Sequence, residues 1–173
     1  VEFRGVTFMY PNADAPALND VSFVARSGET TAVVGPTGSG KSTLLGLIER
    51  FYDPSSGTVS VDGVDVRDME IADLRERIGF VPQRAMLFSG TVESNIRYGK
   101  DDATQSELLQ ASTTAQAIEF IDQFEDGFAH PIAQSGSNVS GGQRQRLSIA
   151  RAVVREPEIY IFDDSFSALD FRT

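Results

Sequence analysis

Apolar and polar positions alternate over the first ten residues, with Val1, Phe3, Val6, Phe8 and Tyr10 on the apolar side. A second run, Val21-Ser22-Phe23-Val24, follows a turn-rich stretch at 11–16, and the two predict an antiparallel pair. Thr31-Ala32-Val33-Val34 is a short apolar run that reads as a buried parallel strand. Leu44, Leu45, Leu47 and Ile48 then recur at helical spacing. They predict a helix from Lys41 to about Phe51 that stops before Asp53-Pro54, because the residue before proline is pushed out of the α region. Residues 57–63 read as a short strand, 71–77 as a short helix, and Ile78-Gly79-Phe80-Val81 as a strand ended by Pro82-Gln83. From 84 to 156 strand signals fade, and helical patterns cover 91–98, 104–124 and 141–155. Ile159-Tyr160-Ile161-Phe162 returns as a buried strand with Asp163-Asp164 at its carboxyl end. The organisation predicted is an α/β core, residues 1–83 and 157–173, with a helical subdomain inserted at 84–156.

Composition narrows this picture. The chain has 173 residues, 40% hydrophobic, with a formal net charge of −10. That is one domain, or a core with an inserted subdomain, and it is long enough to bury a real core. Cysteine is absent, which excludes a disulfide scaffold and a thiolate metal site. There is no signal-peptide pattern, and no apolar run approaches the roughly 18 residues that would span a bilayer. A membrane role would have to come from another chain or another part. The acidic balance argues against nonspecific nucleic-acid binding, which relies on basic surface. It says nothing against a nucleotide, because local groups decide such a site.

Those local groups lie in Gly35-Pro36-Thr37-Gly38-Ser39-Gly40-Lys41-Ser42-Thr43. A glycine-rich turn between a strand and a helix, with GxxxxGK[ST] across it, is a phosphate-binding P-loop. The glycines let successive N–H groups point inward at an anion, and the helix beginning at Lys41 adds its positive dipole end. The Lys41 ammonium can reach terminal phosphates, and the Ser42 hydroxyl can ligate Mg²⁺. The alternative is an ordinary glycine turn. Val139-Ser140-Gly141-Gly142-Gln143 precedes a second amphipathic helix, and Ser140 with Gln143 fits a capping box. Leu147, Ala150 and Val154 form its apolar stripe, while Arg144, Arg146 and Arg151 point elsewhere. This is a second helix start able to meet an anion or, alternatively, a well-capped helix and nothing more.

With both motifs in place the chain resembles the ATP-binding cassette (ABC) ATPases. GPTGSGKST matches their Walker A loop, VSGGQ their signature and IYIFD, ending at Asp163, their Walker B strand. Ser167-Ala168-Leu169-Asp170 matches the D-loop, Gln83 the Q-loop and Tyr10 the aromatic A-loop residue. The motifs occur in family order from Tyr10 to Asp170. Leu87-Phe88-Ser89-Gly90-Thr91-Val92 and Asn95-Ile96 resemble the exporter branch. The resemblance implies a P-loop NTPase (RecA-like) core with an antiparallel β subdomain and a helical subdomain. It implies ATP and Mg²⁺ as ligands. Tyr10 would stack on adenine, although alone it reads as a strand aromatic. Residues 35–43 would hold the phosphates. Ser42, Gln83 and Asp163 would place Mg²⁺, directly or through water. Ser140, Gly141, Gly142 and Gln143, with Asp170, would serve ATP held by a second such domain. Two domains would close head to tail around two ATP molecules, and that closure would drive a transmembrane domain from the cytoplasmic face of a membrane. Transfer of a phosphoryl group needs mostly positioning and charge neutralisation, so a shared interface suits it.

Three departures from the family pattern sharpen the expectation. After Walker B the family normally has Glu, and this chain has Asp164. The shorter side chain sets its carboxylate back by roughly 1–1.5 Å, and a misplacement of about 1 Å can cost on the order of 10²-fold in rate. The expectation is a site that binds ATP and hydrolyses it slowly, in one half of a heterodimer whose intact VSGGQ completes a partner's site. A working Asp, and a homodimer, are the alternatives. Second, the family's switch His lies beyond the D-loop, and the only His here is His130, which reads as a loop residue. The family also places the strand leading to that His between the Walker A and Walker B strands. The expected core is therefore incomplete at its C-terminal side, with a gap in the sheet and weak or no hydrolysis by the isolated chain. Third, Gln134 stands in the segment before the signature, where exporters often carry Glu. Two other readings remain: a nucleotide-sensing module that regulates a partner, and an ABC ATPase acting without a membrane domain.

Overall fold

The computed structural model describes residues 1–165, which fall into two compact units divided between Arg77 and Ile78. The first unit is built on strand β1 (Glu2–Phe8), flanked by β2 (Leu18–Val24) and β3 (Ser56–Val61), both antiparallel to it. Phe3 and Phe23 face each other across β1 and β2, with rings stacked at 4.7 Å. The apolar set shifts from odd to even positions between Phe3 and Val6. Gly5 causes this, its φ of +57° making an irregularity that shifts the register on both sides of β1. Phe3, Val6 and Phe8 are all buried as a result. Opposite lies Gly57, where an added Cβ would come within 2.3 Å of the Gly5 carbonyl oxygen, so only glycine fits.

Helix α1 (Lys41–Ile48) follows the glycine loop and buries Leu44, Leu47 and Ile48. It ends before the expected Phe51. Arg50 takes a left-handed φ of +52°, and the Phe51 and Arg50 N–H groups bond back to the Gly46 and Leu47 carbonyls at 2.9 and 3.3 Å. This is a Schellman stop, formed here without glycine. The Arg50 guanidinium holds it, donating to the Val66 and Met69 carbonyls at 3.1 and 3.0 Å. Asp62 and Gly63, both at positive φ, make a two-residue turn from β3 into β4 (Val64–Asp65), which closes a sheet of order β2-β1-β3-β4. Helix α2 (Ile71–Glu76) completes the unit. One expectation fails. Thr31-Ala32-Val33-Val34 forms no strand, and Val34 is 91% exposed. A strand exists only by pairing, and no described strand pairs with this run.

In the second unit β5 (Ile78–Val81) pairs in parallel with β8 (Ile159–Phe162), from Ile78↔Ile159 to Val81↔Phe162. Between them in sequence come β6 (Gly90–Thr91), α3 (Val92–Arg97), α4 (Gln105–Thr114), α5 (Ile118–Ile121), β7 (Pro131–Ile132) and α6 (Gly141–Val153). The single helix expected over 104–124 is two. Gln116 at φ +54° stops α4 by the same Schellman pairing, with Ala117 and Gln116 N–H bonded to the Ser112 and Thr113 carbonyls. Thr91, Thr104 and Ser140 each close a capping box, at the starts of α3, α4 and α6. Val81, Leu87, Ile96, Leu108, Ile121 and Leu147 share one core. Strand β8 is less buried than its apolar run predicts: Ile161 is covered, but Tyr160 and Phe162 are exposed and stack on each other. His130 is a loop residue, as expected, stacked on Phe124 at 3.7 Å.

Candidate nucleotide site

In the first unit the glycine loop prepares a bare helix start. Gly38 (φ +82°) and Gly40 (φ +89°) occupy the left-handed region, and the Ser39 N–H bonds to the Pro36 carbonyl. Gly40 is doubly constrained, because an added Cβ would lie 2.7 Å from the Ala17 carbonyl and 2.9 Å from Leu18. It caps α1 without a side-chain hydrogen bond, and no acidic residue stands in the first turn. The N–H groups there therefore carry positive partial charge with no side-chain acceptor. Lys41 Nζ turns back over the loop and donates to the Gly35 and Pro36 carbonyls at 2.8 and 2.9 Å. Thr37, Ser39 and Ser42 are exposed, whereas Thr43 is buried and its hydroxyl is 2.9 Å from that of Tyr10. The Tyr10 ring meets Phe8 and Tyr52 edge-on at 4.9 and 5.3 Å. The Tyr10–Thr43 bond ties the aromatic residue to the end of the glycine loop, and sequence reasoning did not foresee it.

In the second unit the carboxyl ends of β5 and β8 hold four polar residues together. Asp163 N–H and the Ser165 hydroxyl both bond to the Val81 carbonyl, at 3.0 and 2.8 Å. Gln83 Nε2 donates to Asp164 Oδ2 at 3.1 Å. Asp164 sits at φ +48°, a strained conformation for a residue other than glycine and one that recurs at functional sites. Helix α6 begins close by in this unit. An open groove of about 510 Å³ is lined by Gln83, Arg84, Gly141, Arg144 and Gln145 among others. Ser140 Oγ accepts from Gln143 N–H at 3.2 Å, and Gln143 Oε1 accepts from Ser140 N–H at 2.8 Å. The Ser140 hydroxyl thus keeps its own proton to donate, with Gly141 and Gly142 adding no bulk beside it. Arg146 and Arg151 are both half-buried, so pointing away from the apolar stripe did not mean full exposure to water. Asp170, with the rest of the D-loop, lies outside the described residues.

Two further features bear on ligands and partners. Among the described residues no group of three or more His, Asp or Glu side chains could hold a metal ion by itself. Ser42 in the first unit and, separately, Gln83 and Asp163 in the second each carry an oxygen donor of the kind Mg²⁺ takes alongside phosphate and water. In the second unit Met86, Phe88 and Tyr98 make an exposed apolar patch, with the Phe88 and Tyr98 rings 4.5 Å apart. No helix among the described residues is long and apolar enough to cross a membrane.

Comparison with known proteins decides the family. The family model described as ABC transporter matches residues 18–167. The chain belongs to the ABC transporter family. Tyr10 and Asp170 fall just outside the matched stretch. An uncharacterized ABC transporter ATP-binding protein of Mycobacterium bovis is 54% identical over 176 residues, covering 100% of the chain and 30% of that protein. A beta-(1→2)glucan export ATP-binding/permease protein of Rhodopseudomonas palustris is 49% identical over 98% of the chain and 28% of its own length. The structure of a bacterial Atm1-family ABC exporter with ATP bound superposes with a TM-score of 0.95 at 39% identity, covering 99% of this chain and 30% of that one. The fold is therefore the P-loop NTPase fold of ABC ATPases, and the chain spans about 30% of the length of these ABC transporter relatives.

Proposed function

We propose that this chain is the ATP-binding, ATP-hydrolysing motor domain of an ABC exporter. The observation that carries the reading is the uncapped start of α1, led by Gly40 and overhung by Lys41. The loop from Gly35 to Thr43 takes the phosphates, and Tyr10 stacks on the base. Gln83, Asp163 and Ser42 serve Mg²⁺, which neutralises charge on the transferring phosphoryl group when bound. Asp164, held by Gln83, orients the attacking water. Ser140 to Gln143, with Asp170, complete the site of a second nucleotide-binding domain across a head-to-tail dimer. The exporter relatives support a transmembrane partner, with the domain at the cytoplasmic membrane face, and the exposed Met86, Phe88 and Tyr98 patch offers that partner an apolar contact. The net charge of −10 disfavours a role on nucleic acid.

The finer proposal is a slow site in a heterodimer. Asp164 is short, and its backbone is held in the left-handed region. A second reading, a regulatory domain that binds nucleotide with little turnover, rests on the same residue. Affinity and turnover for Mg·ATP, measured separately in the full-length protein and its Asp164→Glu variant, test both. Turnover rising at least about 10-fold with unchanged affinity supports the slow-site proposal. An unchanged rate removes it, and no ATP affinity at all removes the motor and regulatory readings together.

A further inference from the structure

Just past β8 the chain makes a bracket around one residue. The Asp163 N–H and the Ser165 hydroxyl both donate to the Val81 carbonyl, at 3.0 and 2.8 Å. They are the residues on either side of Asp164 in the chain. The first bond continues the parallel ladder beyond the pair Val81↔Phe162. The second comes from a side chain, whose hydroxyl also lies 3.4 Å from the Asp163 carbonyl. With both neighbours drawn to one oxygen, the chain has to double back at Asp164, and it does so at φ +48°. A residue with a Cβ holds that conformation only when its surroundings impose it.

Ser165 is not needed to satisfy the Val81 carbonyl. That oxygen already has its ladder donor, so alanine at 165 would leave it paired. Ser165 is 1% exposed, and alanine would bury there without a hydroxyl to desolvate. What alanine lacks is the bond that fixes the direction of the turn. Asp164 itself is exposed, and its Oδ2 accepts from Gln83 Nε2 at 3.1 Å. An aspartate carboxylate stands one methylene from the main chain, so the backbone conformation decides where it lies.

We propose that Ser165 is a positioning residue for Asp164. By sharing the Val81 carbonyl with the Asp163 N–H, its hydroxyl holds the Asp164 backbone in the left-handed region and lays the carboxylate against Gln83. Strain is stored just past β8, and one buried hydroxyl retains it. The bracket stands on the geometry alone. Its consequence for turnover rests on the proposed function, in which Asp164 orients the attacking water.

The test compares glycine with alanine at position 164, because both remove the carboxylate and only alanine is strained at positive φ. In the full-length protein without nucleotide, Asp164→Gly should melt about 2 °C above Asp164→Ala. With Ser165→Ala added to each, the order should reverse, because the turn relaxes and glycine then only loosens the unfolded chain. No advantage for glycine with Ser165 in place, or the same advantage with and without it, overturns the proposal. Should Ser165→Ala fail to melt cooperatively, Ser165→Cys replaces it, since a thiol fills the space but donates weakly. Turnover is the second readout. Ser165→Ala alone should lower kcat about 10-fold with KM for ATP within about 2-fold, and should lower kcat no further in Asp164→Ala. An unchanged kcat, or an equal loss in both backgrounds, overturns the positioning role. The melting comparison needs no ATP, so a failure of the proposed function would show separately, as absent affinity for Mg·ATP.

Discussion

Helices α1 and α6 both begin at a glycine-rich turn, and they are finished in opposite ways. Helix α6 is self-sufficient: Ser140 and Gln143 satisfy each other at its start, and Arg151 places a cation in its last turn, where the dipole favours one. Helix α1 has no side-chain cap, no acid in its first turn, no base in its last turn, and the carboxylate Glu49 at its C-cap. Every local term that steadies α6 is missing or reversed in α1. The difference teaches that α1 is a helix whose start is left to be completed by an anion, whereas α6 is already complete and can offer only a light contact through one hydroxyl and two glycines. Ligand and stability should therefore be linked at α1 and unlinked at α6.

The strongest way to break this comparison is Lys41→Ala. Turnover in the full-length protein should fall by about 10²–10³-fold, the usual effect of removing a charge aimed at a developing anion. In the wild type, Mg·ATP at about 100 times its Kd should add roughly 2.7 kcal/mol of stability by mass action, seen as a raised melting temperature, and the variant should lose this. Ser140→Ala should keep it. Next comes the glycine contrast. Gly40→Ala puts a Cβ against backbone at 2.7 Å from a φ of +89°, and should destabilise by about 2–3 kcal/mol. Gly141→Ala, whose Cβ would meet only Arg144 Nη2 at 3.9 Å, should cost under about 0.5 kcal/mol. Equal losses in thermal melting would remove the distinction.

The far end of α1 supplies a pH-dependent contrast. Burial pushes the Glu49 carboxyl up from 4.5 to about 7, with Arg75 opposing the rise, and its Oε2 has no hydrogen-bond partner among the described residues. The folded chain thus holds that proton more tightly than the unfolded chain. The stability it contributes is complete below about pH 4.5, declines as pH rises to about 7 and is gone above that. Glu49→Gln should stabilise by about 1–2 kcal/mol at pH 8, after allowance for solvent screening, and should flatten the profile between those values. An unaltered profile would show that Glu49 is not strained. Ser140→Ala should cost folding about 1 kcal/mol from the lost cap, more than Gly141→Ala and less than Gly40→Ala.

Much of this was legible in the sequence, for identifiable reasons. Ile78–Val81 and Ile159–Phe162 form strands over the residues expected, because short apolar runs between turn signals set their own limits. The Ser140 capping box follows from a local spacing and needs no tertiary information. The stops at Arg50 and Gln116 were hidden because each uses a non-glycine residue in the left-handed region, and at Arg50 distant carbonyls hold it there. Thr31–Val34 was misread because a strand depends on a neighbour that composition cannot supply. The Lys41 loop could be read from its motif, since its residues are consecutive. The Gln83–Asp164 and Tyr10–Thr43 bonds could not, because each joins residues far apart in the chain through side-chain geometry that only the folded register creates. Arg151 was read as turned away from the core by its charge, and charge does not reveal a donor fork used internally.

The most direct test of the central claim is a crystal structure of the full-length protein with Mg²⁺ and a non-hydrolysable ATP analogue. The account predicts terminal phosphates about 3 Å from the main-chain N–H groups between Gly38 and Thr43, with Lys41 swung from its own loop carbonyls onto them. Nucleotide bound elsewhere, with Lys41 still on the Gly35 and Pro36 carbonyls, would contradict it.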